Sequence, residues 1–144
     1  MNGVFSLKIA IVASRFNQLI SDNLVTGAQK AIKSKGLAEA ETYDVPGAFE
    51  LPFTCSLLND KYDGLVAVGV VIRGETPHFD YVCEVASKGI AEVSRTKLIP
   101  IGFGVITADT VDQAAARSGD DEKNLGYRAA LAAIELVEFK KEVQ

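Results

Sequence analysis

Histidine occurs once in this 144-residue chain and cysteine twice, and lysine and arginine nowhere gather into a dense run. Each scarcity excludes something. Cys55 and Cys83 lie far apart in stretches that read as helical and form neither a CxxC nor any zinc-finger spacing, so two reduced, packed thiols and no metal site are expected. Fifteen basic against nineteen acidic residues give a formal net charge of -4, with no basic patch to neutralise a polyphosphate backbone, which argues against a nucleic-acid partner. No low-complexity tract or Pro/Ser-rich linker interrupts a chain that is 48% hydrophobic and 24% charged, so disorder is excluded and a compact fold expected. No apolar stretch approaches the roughly 18 residues that span a bilayer. The opening "MNGVFSLKIAIVAS" has Lys8 inside its apolar run and lacks both a basic n-region and a small-residue cleavage site. A cytoplasmic protein without a membrane partner is expected, built as one domain over residues 1 to 144.

Short apolar runs alternate with longer amphipathic segments. Residues 7 to 14 (LKIAIVAS), 64 to 72 (GLVAVGVVI) and 98 to 107 (LIPIGFGVIT) are nearly continuous in apolar character, as parallel strands covered on both faces must be. The more polar "AEAETYDV" at 38 to 45 alternates weakly and ends at a Pro-Gly pair, which predicts a strand nearer an edge. Helical patterns fall near 20 to 35, 49 to 60, 77 to 95, 109 to 117 and 121 to 141, the last with Leu125, Ala129, Ala132, Leu136 and Phe139 at helical spacing. The resulting βαβαβαβα order predicts an α/β protein: a three-layer α/β/α, doubly wound, flavodoxin-like domain with a central four-stranded parallel sheet.

In such folds ligands bind beyond the carboxyl ends of the strands, so the segment after each strand is the place to look. The first strand is followed by "SRFNQ" with Phe16 and Asn17. The second is followed by "PGAFE" with Gly47, Ala48, Phe49 and Glu50, and the third by "RGETPH". A lone phenylalanine usually caps a core, but a ring beside the amide of Asn17 suits a planar heteroaromatic ligand. Gly47 after Pro46 fits ordinary turn chemistry as well as close approach of a ligand to backbone amides, and the sequence does not separate the two.

The sole histidine sits in the most specific of these segments. Thr76 suits an N-cap and Pro77 the first helical position, which puts His78 in the first turn of a helix entering at the sheet's carboxyl edge. Unpaired N–H groups and the helix dipole favour an anion there, and Gly74 lets it come close, whereas Glu75 opposes it unless turned away. A lone histidine is most often an ordinary helix residue. At a ligand rim beside an anion seat, an imidazole that titrates near neutrality is suited to proton transfer. Arg117, in the polar "ARSGDDEKNLG", has nothing local that distinguishes it from a solvated loop arginine. The glycine-rich "GFGVIT" from Gly102 lies inside the fourth strand and not between a first strand and its helix, so it is not a dinucleotide turn.

Taken together, "SRFN", "VPGAFELP" and "VIRGETPHFDYV" closely resemble the 6,7-dimethyl-8-ribityllumazine synthase family, and "FGVITADT" and "AALAAIEL" extend the match over nearly the whole chain. The resemblance implies condensation of 5-amino-6-ribitylaminouracil with 3,4-dihydroxy-2-butanone 4-phosphate, the penultimate step of riboflavin biosynthesis, without metal or organic cofactor. It implies that Phe16 stacks on the pyrimidine while Asn17, Gly47, Ala48, Phe49 and Glu50 hold the heterocycle and ribityl chain. Val71 and Ile72 meet the pyrimidine edge, Gly74, Glu75 and Thr76 seat the phosphate, and His78 moves protons. Phe103 and Arg117 reach the site from a neighbouring subunit, so the protein is expected to be a homo-oligomer with active sites between subunits, and riboflavin synthase is a candidate partner.

Three features depart from the family pattern: Leu125 stands where many members carry lysine, Glu75 where the residue is often small and neutral, and "DDE" at 120 to 122 replaces a threonine- and lysine-bearing turn. Weaker phosphate binding is the expected consequence. The first core strand begins close to the start of the sequence, so an N-terminal pairing strand looks short or missing and a pentamer is expected rather than an icosahedral shell. The competing class is a non-catalytic flavodoxin-like module that binds a riboflavin-pathway ligand. A receiver lacks support because no acidic pair ends the strands, and a flavin carrier because "SRFNQ" is not a hydroxyl-rich phosphate loop.

Overall fold

The computed structural model describes residues 7 to 144. Four strands, β1 (Ile9–Ser14), β2 (Glu41–Val45), β3 (Gly64–Ile72) and β4 (Ile101–Ala108), alternate with α1 (Gln18–Ser34), α2 (Leu51–Leu58), α3 (His78–Lys97), α4 (Val111–Ala116) and α5 (Leu125–Val143). All pairings are parallel, in the order β2-β1-β3-β4. Central β1 is buried at every position and β3 at all but its last, while edge strand β2 is mostly exposed. The strand alternation splits the core in two. Ile11, Ala13, Val66, Val68 and Ile106 face α1 and α5, and Ala10, Val12, Leu65, Ala67 and Val105 face α2 and α3. This is the expected three-layer α/β/α arrangement.

Each helix turns an apolar stripe inward: Ile20, Leu24, Ala28, Ala31 and Ile32 in α1, and Phe79, Val82, Ala86, Ile90 and Val93 in α3. In α5 the inward stripe is Ala129, Ala130, Ala133, Ile134 and Val137, whereas Leu136 and Phe139 of the expected helical repeat point outward. Close approach explains the choice of small residues. A Cβ on Gly102 would run into the carbonyl of Ala129, and one on Gly126 into the carbonyl of Leu24. The glycines of "GFGVIT" therefore serve helix-to-sheet packing. Cys55 is fully buried in the core half that α2 and α3 cover, its thiol pushed up to about 12 by burial, and Cys83 is also free.

Several boundaries differ from expectation by a few residues, and three of them have a clear local reason. The fourth strand starts at Ile101 and not 98, because Leu98 takes a left-handed turn (φ 52°) and Ser94 holds both the N–H (3.2 Å) and carbonyl (2.6 Å) of Ile99. The second starts at Glu41 because the Gln29 amide occupies both backbone groups of Ala40, at 2.9 and 2.8 Å. Helix α5 starts at Leu125 because buried Asn124 caps it, accepting from the Tyr127 N–H at 3.0 Å. The expectation about an N-terminal pairing strand concerns residues outside those described.

The backbone contact at Gly102 gives a direct check on this packing. Gly102→Ala should lower the unfolding free energy by ~1–3 kcal/mol in urea titration, since a carbonyl cannot swing aside as a side chain can. A change below about 0.5 kcal/mol would show that β4 and α5 are not so close.

Candidate active site

The strand order fixes where a ligand can enter. The chain leaves β1 for β2 on one side and returns to β3 on the other, so the carboxyl ends of β1 and β3 flank the switch point where crevices open in such sheets. A cavity of about 390 Å³ lies there. The segments after all three neighbouring strands line it: Phe16 after β1, Gly47, Ala48, Phe49 and Glu50 after β2, and Val71, Ile72, Gly74, Thr76 and His78 at the end of β3 and beyond.

Phe16 is 70% exposed, so it is not a core cap. The next residue explains its outward aim. Asn17 sits in the left-handed region (φ 57°, ψ 58°), which asparagine tolerates better than most residues, and its carbonyl accepts from the Ile20 and Ser21 N–H groups at 3.1 Å to begin α1. The Ser21 hydroxyl then donates to the Ser14 carbonyl at 2.5 Å, fixing α1 on the end of β1. Asn17 is exposed but does not line the cavity.

After β2 the chain passes Gly47 with extended backbone (φ -155°, ψ -179°), which any residue adopts, so turn geometry does not demand glycine here. A Cβ would stand 3.3 Å from Glu50 Oε1, so the missing side chain leaves room at the cavity edge. A single 3-10 turn, Ala48–Glu50, leads into α2. Of the two readings that the sequence left open at Gly47, space for a close neighbour is the one this geometry favours.

Past β3, helix α3 begins at His78 with Pro77 at its N-cap, one residue later than expected. Thr76 still contributes, its Oγ1 accepting from the His78 N–H at 3.4 Å. The N–H groups of Gly74, Glu75 and Thr76 donate to no protein acceptor among the described residues, so successive donors are free beside the cavity. Nothing lies within 4 Å of where a Gly74 Cβ would stand, and Glu75 is exposed and off the cavity wall. An apolar floor, a stacking ring, free amide donors and one imidazole thus share one concavity. Such a site can hold a planar ring and an anion side by side and move protons between them.

A family model described as 6,7-dimethyl-8-ribityllumazine synthase matches residues 6–141. The chain belongs to the lumazine synthase family. Curated relatives named 6,7-dimethyl-8-ribityllumazine synthase include one from Nautilia profundicola, 51% identical over 94% of this chain and 91% of its own length. Another, from Desulfovibrio desulfuricans, is 45% identical over 95% and 90%, and one from Desulfosudis oleivorans is 46% identical over 93% and 88%.

Besides Asn17 and Glu75, Phe103 and Arg117 were singled out by the family resemblance and do not line this cavity. Phe103, 41% exposed on edge strand β4, lines a separate hollow with Ser87, Ile90 and Arg95. Arg117 ends α4, where its guanidinium donates to the Gln113 carbonyl at 2.9 Å and its own carbonyl accepts from the Leu125 N–H. Leu125 packs against the α1/α5 core. Conversely, Val70, Phe79 and Val82, which are not among the residues expected from the sequence, also line the cavity. The spacing of Phe79 and Val82 in "HFDYV" was the available signal, since residues three apart on α3 share a face. Among the described residues, no group of three or more His, Cys, Asp or Glu could hold a metal ion.

Because its ring faces solvent, Phe16→Ala should leave the unfolding free energy within ~0.5 kcal/mol of wild type in urea titration. A loss above ~2 kcal/mol would mean that the ring is packed in the folded protein and not held open for a ligand.

Proposed function

We propose that the protein is an enzyme that condenses 5-amino-6-(D-ribitylamino)uracil with 3,4-dihydroxy-2-butanone 4-phosphate to give 6,7-dimethyl-8-ribityllumazine, phosphate and water. The observation that carries this reading is the convergence of Phe16, the 47 to 50 turn and the 74 to 78 turn on the switch-point cavity of a lumazine synthase family member. Phe16 stacks on the pyrimidine, with Asn17, Gly47, Ala48, Phe49 and Glu50 holding the ring and the ribityl chain. Val71 and Ile72 meet the ring edge. The free N–H groups of the turn from Gly74 through Glu75 to Thr76 seat the phosphate.

The uracil's primary amine attacks the ketone carbon and water leaves to give an imine. Loss of a carbon-bound proton expels phosphate, and the ribityl-bearing nitrogen then closes the ring with loss of a second water. His78 takes up and returns the protons in turn, while stacking and anion anchoring hold the two substrates together and supply proximity. No cofactor or metal has a role in this scheme.

Phe103 and Arg117 act at the site of a neighbouring subunit, Arg117 as a planar donor fork on phosphate. Support comes from their absence from the lining of their own cavity and from the many apolar side chains left on the surface of one chain, including Phe49, Phe53, Leu57, Phe103 and Tyr81. The whole chain acts as one domain in a cytoplasmic homo-oligomer, a pentamer, with riboflavin synthase as the partner that consumes its product. No described helix is long and apolar enough to cross a membrane.

Mixing two impaired variants tests the shared site. His78→Ala and Arg117→Ala oligomers should each turn over more slowly, by up to ~10² to 10⁴ for the histidine. Mixed oligomers, verified by mass spectrometry, contain interfaces with an intact His78 facing an intact Arg117 and should exceed the summed rates of the parents. A strictly additive rate in verified mixtures refutes the shared site, and an unchanged kcat in His78→Ala refutes the proton-transfer role.

A further inference from the structure

The turn from β3 into α3 carries much of the rim's chemistry, yet its own backbone bonds are sparse: the N–H groups of Gly74, Glu75 and Thr76 find no protein acceptor among the described residues. Something other than the turn must fix its shape. Arg73, the first residue after β3, touches both ends of it. Its N–H donates to the Ala108 carbonyl at 2.9 Å, and its Nε donates to Asp109 Oδ1 at 2.8 Å. One terminal nitrogen lies 3.7 Å from Asp80 Oδ1, and the guanidinium carbon stands 4.4 Å from the centroid of the Phe79 ring, which lines the cavity.

We propose that Arg73 is a positioning residue for the reaction: its guanidinium clips the β3-to-α3 turn to the end of β4 and so sets Gly74, Thr76 and His78 relative to one another. The turn's role as phosphate seat is taken from the proposed function, on which this inference rests. The anchor is itself fixed, because the Asp109 N–H donates to Gln113 Oε1 at 2.8 Å and Thr110 caps α4. A stabilising role alone does not account for the arrangement. The side chains of Arg73, Asp80 and Asp109 are 50%, 64% and 63% exposed, and ion pairs so open to water add little to folding. A planar fork can stack on a ring while donating in its own plane to one carboxylate and facing another; a lysine ammonium cannot.

The test compares wild type with Arg73→Lys and Asp109→Asn. Steady-state rates would be measured with each substrate varied, alongside thermal unfolding and oligomer size. The single histidine gives one imidazole NMR signal, which reports binding of inorganic phosphate beside it. Arg73→Lys should raise KM for the phosphorylated substrate about tenfold and weaken phosphate binding in parallel, with KM for the pyrimidine changed less than about twofold. Asp109→Asn should act in the same direction, and both should unfold within about 2 °C of wild type. Wild-type constants in both variants would overturn the proposal, as would a uniform fall in kcat and both affinities that tracks a lower melting temperature. Should wild type form no lumazine, the proposed function fails on that result alone. The phosphate titration then decides the clip: weaker binding in Arg73→Lys than in wild type supports it, and equal or absent binding in both refutes it.

Discussion

The pairing of β1 with β3 is the constraint from which the rest follows. Both strands are apolar on both faces, so each needs a strand on either side and a helix layer above and below. Placing them next to each other sends β2 to one flank and β4 to the other, and the connections leaving β1 and β3 diverge. A crevice at their carboxyl ends is the geometric result. Its floor, from Val70, Val71, Phe79 and Val82, is shared with the core, whereas its rim comes from connections, so the sheet can be packed for stability while the rim varies with the ligand.

The rim is built from a few local devices. The left-handed Asn17 turns Phe16 outward, the extended Gly47 keeps the second turn thin, and the turn at 74 to 76 donates its N–H groups to no acceptor among the described residues. Each leaves something unsatisfied in the isolated chain: an exposed ring, an open edge, unpaired donors. In the proposed reaction the two substrates satisfy all three. The exposed apolar surface of α2 and Phe103 is the corresponding deficit at the level of the subunit, and in the proposed assembly a neighbouring copy covers it.

Much of this was legible in the sequence because the two central strands announce themselves as unbroken apolar runs and the motifs fall directly behind them. The register of edge strand β2 was harder to read, since its start is set by Gln29, eleven residues before Ala40, and no local periodicity encodes that contact. The start of β4 was hidden in the same way by the left-handed Leu98 inside a continuous apolar run. In α5 the expected repeat included Leu136 and Phe139, yet alanines face the sheet because Gly102 brings β4 close to α5, while Gly126 brings α5 close to α1. In sequence Phe79 is indistinguishable from a core residue and Arg73 from a surface one. Their stacking across the β3-to-α3 turn is visible only once the turn is folded.

The central claim is that this cavity joins a ribitylaminouracil to a four-carbon phosphate. Purified protein mixed with both substrates, in buffer containing a strong chelator, tests it most directly. Lumazine absorbance and fluorescence should appear at a rate well above the uncatalysed background, with one inorganic phosphate released per lumazine formed. A rate equal to background, or one that depends on metal restored after chelation, would contradict it.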